Sequence, residues 1–254
     1  MSLSEEQVSF FKSLSEQKKV VRLEKALGVL MKVGEHQLKL LKAYHSSNKS
    51  KEIGFAYFYQ TVQSVWENIN FALSLGKGKF RHFNVYPARL ICENIFRLEY
   101  YINQTKDQQN EIYFWEMARV MKRFYDEFKD EEFKNKYDDI VKDLGNSNVI
   151  YPDIEKDEAY KDKFPNMEVL MRQSKLPRSK NFYLHYRFLC ESNHGKLLSL
   201  YIAKDGLKQY RLNLFYILLF TKWLLIIIDA HIQKVTNKKV SDAIKKTDEI
   251  VFFV

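Results

Sequence analysis

Residues 212–230, LNLFYILLFTKWLLIIIDA, are apolar on nearly every side of a helical wheel, and whatever this chain folds into must cover them. The run approaches the length of a membrane span, but Asn213, Thr221, Lys222 and Asp229 interrupt it. Lys222 would lie near mid-bilayer, where its insertion costs roughly 2.5–3.5 kcal/mol. The central helix of a large bundle accommodates the run better, so no stable membrane insertion is expected.

The remaining sequence fits such a bundle. Only 8 Gly and 4 Pro occur in 254 residues, which leaves few tight turns and favours long elements. Aromatics make up 15% of the chain and predict a core of large rings, with Trp66, Trp115 and Trp223 among them. Periodicity predicts a helix over 4–46, interrupted near Gly34, and a second over 52–75 capped at Gly76 and Gly78. A third runs from Pro87 to Ile102, with Ala88, Ile91, Cys92, Ile95, Leu98 and Ile102 on one face. Glu99 falls on that same face, where a carboxylate needs a partner. Arg89, Glu93 and Arg97, each four apart, form an ion-paired row beside it.

A fourth helix is expected over 108–129 and a charged shorter one over 131–144, then short helices over 154–180 broken by Pro165 and Pro177. Ser179 is the expected N-cap of a tyrosine-rich helix ending near Gly195. Asp205-Gly206 can either close a small hairpin or link two helices. The apolar helix then spans about 208–236, and a last short helix follows. The expectation is a single all-α domain over 1–254: an N-terminal helix, a core bundle from 52–128 and 179–236, and a charged excursion over 129–178.

The net charge of +9 permits contact with phosphates, but no tract reads as uniformly basic, which is also the pattern of a solvated surface. Cys92 and Cys190, isolated in apolar helical context, are expected to be buried thiols. With an acidic, amphipathic N-terminus unlike a signal peptide, they point to the cytoplasm. GKGK lacks the spacing of a phosphate-binding loop, and no Gly-x-Ser-x-Gly elbow or Cys-x-x-Cys pair is present, so no cofactor is expected.

Chemistry concentrates in NFYLHYRFLCESNHG. At about 100° per residue, Tyr183, Arg187, Glu191 and His194 form one polar column on a helix. The segment RFLCESNH resembles the motif of the HEPN superfamily (higher eukaryote and prokaryote nucleotide-binding domains). The wider pattern looks like a related, uncharacterised bacterial helical family. In that family an arginine and a glutamate open an internal helix, as in ARLICENIFRLEYYI, and a tyrosine-rich helix ends in His-Gly. The resemblance covers roughly 50–235. It implies a helical bundle, often homodimeric, that cleaves RNA without metal or binds RNA or nucleotides, with toxin or phage-defence roles common. It also implies that Arg187 holds the scissile phosphate and His194 exchanges protons, with Tyr183 and Glu191 orienting them and Arg89 and Glu93 in support.

Three other readings use the same residues. Arg187 and Glu191, four apart, can be a plain ion pair, and Arg178 and His185 repeat the Arg-to-His spacing. Glu191 and His194 have the Glu-x-x-His spacing of di-metal bundles, with Glu67, Glu93, Glu99, Asp229 and His231 as further ligands. Arg172, Lys175, Arg178 and Lys180, near Tyr183 and Tyr186, can grip RNA or another anionic partner without catalysis.

Overall fold

The computed structural model describes residues 13–47, 53–76, 85–143, 163–193, 206–231 and 242. Every element among them is helical, as the sequence predicts. In chain order they are α1 (Glu16–Ser47), α2 (Ile53–Gly76), α3 (Val85–Ile102), α4 (Lys106–Phe128), α5 (Glu131–Asp143), α6 (Met167–Gln173), a 3-10 turn (Ser179–Asn181), α7 (Tyr183–Asn193) and α8 (Gly206–His231).

α8 is the axis of the bundle. By length and composition, Tyr210–His231 could cross a membrane, but 78% of its most apolar window is buried inside the fold. α1 covers it along its length, and α2 and α3 cover its other sides. α1 suits this role because its buried residues Val20, Leu23, Leu27, Leu30, Gly34, Gln37 and Leu41 alternate steps of three and four. The polar interruptions of α8 are accommodated within the core. Asn213, Thr221 and Lys222 are all buried, and the Thr221 hydroxyl donates back to the Ile217 carbonyl at 2.7 Å.

Four sequence expectations are corrected. The first helix does not run unbroken from residue 4: Ser15 precedes α1, and its Oγ accepts the Lys18 N–H at 3.4 Å. Nor does it break at Gly34, where α1 continues and the missing side chain makes room for the Trp66 indole of α2. Ser179 does not cap the tyrosine-rich helix. Its hydroxyl donates to the Ser174 carbonyl at 3.3 Å, and α7 starts four residues later at Tyr183. The hairpin alternative for Asp205-Gly206 also gives way, because Gly206 is already helical and no strand occurs among the described residues; Asp205 itself lies outside them.

α4 opens on a capping box in which Thr105 and Gln108 exchange hydrogen bonds. α5 folds back along α4 over a small separate cluster of Ala118 and Tyr137, with Met121, Tyr125, Ile140 and Val141 beside it. The chain then returns to the main core, where Phe164, Leu170, Met171 and Leu176 are buried. This return brings α6 and α7 against α3.

Candidate nucleic-acid interface

The segment joining α6 to α7 is held to the core by three long-range contacts. The Lys175 N–H donates to Glu99 Oε1 of α3 at 2.8 Å, which gives the buried carboxylate the partner its position requires. The Trp223 indole N–H of α8 donates to the Pro177 carbonyl at 3.0 Å. Phe182 inserts its ring among Tyr216, Phe220 and Trp223 with edge-on geometry, at centroid distances of 5.8, 5.6 and 5.2 Å.

Around this fixed backbone the side chains of Arg172, Lys175, Arg178 and Lys180 are exposed. Arg172 pairs with Glu168 one turn earlier. Arg178 sits at φ 67°, a left-handed conformation uncommon outside glycine, and partial burial lowers its pKa. Its charge adds to the effect of burial on Lys222 of α8, whose pKa falls to about 8.

The sequence reading missed how unusual this tract is. From 169 to 190 the chain carries Arg172, Lys175, Arg178, Lys180 and Arg187 and not one acid, so the flanking Glu168 and Glu191 bound a uniformly basic stretch. A count of acids in a sliding window would have found it.

The polar column is only partly described. Tyr183 is half-buried against the core, and its ring lies 6.3 Å from that of Tyr186. Arg187 is exposed. Glu191 is on α7 with its side chain outside the description, and His194 lies outside the described residues, as do Gly195 and the Arg187–Glu191 pairing.

Arg89 and Glu93 meet α7 at Tyr186, the residue before Arg187 and about 100° around the helix from it. Glu93 Oε1 accepts from Arg89 Nε at 2.8 Å and from the Tyr186 hydroxyl at 2.9 Å. Burial first, then hydrogen bonding to Cys190 and Glu93, pushes the Tyr186 hydroxyl far above its usual range, so it stays a donor. Glu93 raises Arg89 in turn. Arg97, the third member of the row, lies over the Phe164 ring at 5.2 Å. Cys92 is buried and Cys190 half-buried, and both are free.

His185 Nδ1 lies 2.9 Å from the Tyr216 hydroxyl, its ring stacks on Phe182, and burial lowers its pKa. Arg178 belongs to the turn before α7, so it and His185 do not share one helix face.

The residues considered for a di-metal site are spread over the fold. Glu67 is exposed on α2, while Glu93 and Glu99 accept the hydrogen bonds described above. Asp229 is half-buried, with its carboxyl raised by burial, and the His231 ring packs on Phe58 at 4.1 Å. Among the described residues no group of three or more His, Cys, Asp or Glu is arranged to hold a metal.

Compared with known protein families, with curated proteins and with solved structures, the chain matches none of them significantly.

Proposed function

We propose that this chain binds RNA along the surface formed by α6, the 3-10 turn and α7. We propose further that Arg187 and His194 cleave the bound strand without metal, as the HEPN-like motif implies. The observation that carries the reading is the acid-free tract from 169 to 190, whose cations project from a backbone pinned to α3 and α8. The tract itself contributes no carboxylate between Glu168 and Glu191 to oppose a polyphosphate strand, and the pinned backbone reduces the ordering required on binding.

The chemistry follows from residue types. The Arg187 guanidinium can hold two oxygens of one phosphate, and its exposure leaves it reachable by a strand. The 2′-hydroxyl attacks phosphorus as His194 takes its proton, the P–O5′ bond breaks, and the departing 5′-oxygen takes a proton from water, leaving a 2′,3′-cyclic phosphate. The homodimer follows from the HEPN-like resemblance, and Leu184 on α7, 78% exposed, and Leu90 on α3, 46% exposed, are apolar side chains that such an interface could cover.

Two measurements test the reading. Single-stranded RNA should bind with a log-log salt slope of about −3 if four phosphates are engaged. End-labelled RNA should be cut in EDTA by the wild type and not by Arg187→Ala or His194→Ala. A salt-independent affinity removes the binding reading, and cleavage only with added divalent metal transfers the chemistry to Glu191 and His194 as ligands.

A second reading, a non-enzymatic interaction module, is favoured by one feature. Phe124 and Phe128 at the C-terminal end of α4 are 41% and 64% exposed, and their ring centroids lie 5.1 and 6.1 Å from that of Phe133 of α5. Partner binding there would be insensitive to salt.

A further inference from the structure

A cleft of about 170 Å³ opens between the C-terminal half of α3 and α6, beside the basic tract. Phe96 and Tyr100 supply aromatic surface, and Glu99, Asn103 and Gln104 supply its polar wall, with Lys175 at its edge. The wall has a definite polarity. The Asn103 amide nitrogen donates to the Glu99 carbonyl at 2.8 Å, and that of Gln104 donates to the Tyr100 carbonyl at 3.0 Å. Each bond engages one N–H of its amide and fixes the amide's orientation, so both a side-chain oxygen and a second N–H remain on each residue. Glu99 accepts the Lys175 N–H through Oε1, leaving Oε2 and the second lone pair of Oε1. The cleft thus offers the Glu99 carboxylate as an acceptor beside the Tyr100 ring, with Gln173, Ser174 and Lys175 adding groups that can donate.

We infer that this cleft takes a guanine base, with its N1–H and N2–H groups on the Glu99 carboxylate and its ring against Tyr100. This deepens the RNA-binding reading and rests on it for the strand that delivers the base. Guanine is the base whose pairing edge presents two adjacent donors, the match for two carboxylate oxygens. Adenine presents one donor beside an acceptor, and that acceptor would face the carboxylate unpaired. Unstacked bases in single-stranded RNA are commonly read by an aromatic platform together with contacts to this edge. The hydrogen bond that seats the Lys175 backbone on Glu99 places one residue of the basic tract next to the base.

The test measures binding of two nine-nucleotide RNAs, one all adenosine and one with a single central guanosine, by the wild type, Glu99→Gln and Asn103→Ala. Competition by GMP and AMP runs alongside. Glu99→Gln keeps an oxygen for the Lys175 N–H but turns an amide donor towards the guanine donors. Asn103 is exposed, so its substitution leaves the fold intact even if the buried Glu99→Gln does not fold. The expected result is about tenfold tighter binding of the guanosine RNA by the wild type, abolished in Glu99→Gln and reduced in Asn103→Ala. Equal binding of both RNAs overturns the guanine assignment and leaves the RNA reading standing. A preference that survives both substitutions also overturns it, because the base is then read elsewhere. GMP-selective binding without RNA binding keeps the cleft as a free-nucleotide site and ends the RNA reading. Binding of neither RNA nor GMP ends both.

Discussion

Gly28 and Gly34 lie on the same helix, six residues apart, and the fold predicts opposite outcomes when each is replaced by alanine. In both cases the substitution removes a glycine from a helix interior, a gain of roughly 1 kcal/mol. At Gly28 an added Cβ meets nothing within 4 Å, so that gain should appear nearly in full. At Gly34 the Cβ would stand 2.0 Å from Trp66 Cη2 and 2.3 Å from Cζ3, far inside contact distance. Trp66 is 7% exposed, so the indole can give way only by moving its neighbours or by separating α1 from α2. Overpacking of this kind costs about 1–3 kcal/mol.

The propensity term is common to both variants, so their difference isolates the contact. Gly34→Ala should be about 1–3 kcal/mol less stable than Gly28→Ala. At about 2–4 °C per kcal/mol for a chain of this size, Gly28→Ala should melt a few degrees above wild type. Gly34→Ala should melt at or below it. Urea unfolding followed by circular dichroism, with unchanged slopes, gives the comparison directly. If Gly34→Ala is as stable as Gly28→Ala, the close packing of α1 on Trp66 is refuted.

Other perturbations address the site. Tyr186→Phe removes a donor from Glu93 and should lower stability by about 1–2 kcal/mol in urea melts. Because the fold holds that hydroxyl protonated above its ordinary pKa of 10, its contribution is present below pH 10 and lost as pH rises; the Phe variant should therefore lose less stability between pH 10 and 11 than wild type. Lys222 titrates at about 8 in the fold against 10.5 unfolded, so its penalty is fully felt below pH 8 and relieved as pH rises towards 10.5. Lys222→Met should raise stability at pH 7 by up to about 3 kcal/mol. It should also flatten the rise between pH 7 and 9.5, and a destabilised variant would refute the reading of a penalised charge. Arg178→Gly relieves a left-handed φ at the expense of a more flexible unfolded chain, so its stability should stay within about 1 kcal/mol of wild type. Its RNA salt slope should fall by about 0.7, and an unchanged slope would remove Arg178 from the phosphate contacts.

Helices were legible in the sequence because helical order is local. Steps of three and four in α1 and α3 predict which faces are buried, and Ala88, Ile91, Cys92, Ile95 and Leu98 are indeed 0–3% exposed. The Arg89–Glu93 pair was legible for the same reason, since four residues span one turn. Helix starts were less so at Ser15 and Ser179, where a serine hydroxyl can cap a helix or close a neighbouring loop and only the surrounding chain decides which.

The sequence by itself determined that this chain is a helical bundle around residues 212–230 and where its charges fall along the chain. Periodicity and charge are properties of single segments, readable without knowing what lies across from them. Tertiary structure alone decided that Glu99 meets the Lys175 N–H, 76 residues away, and that Trp223 meets Pro177, 46 residues away. It also decided that Glu93 joins Tyr186 across 93 residues, and that a cleft forms where α3 meets α6. Each of these depends on how helices cross, which packing of the whole core fixes and no local spacing encodes.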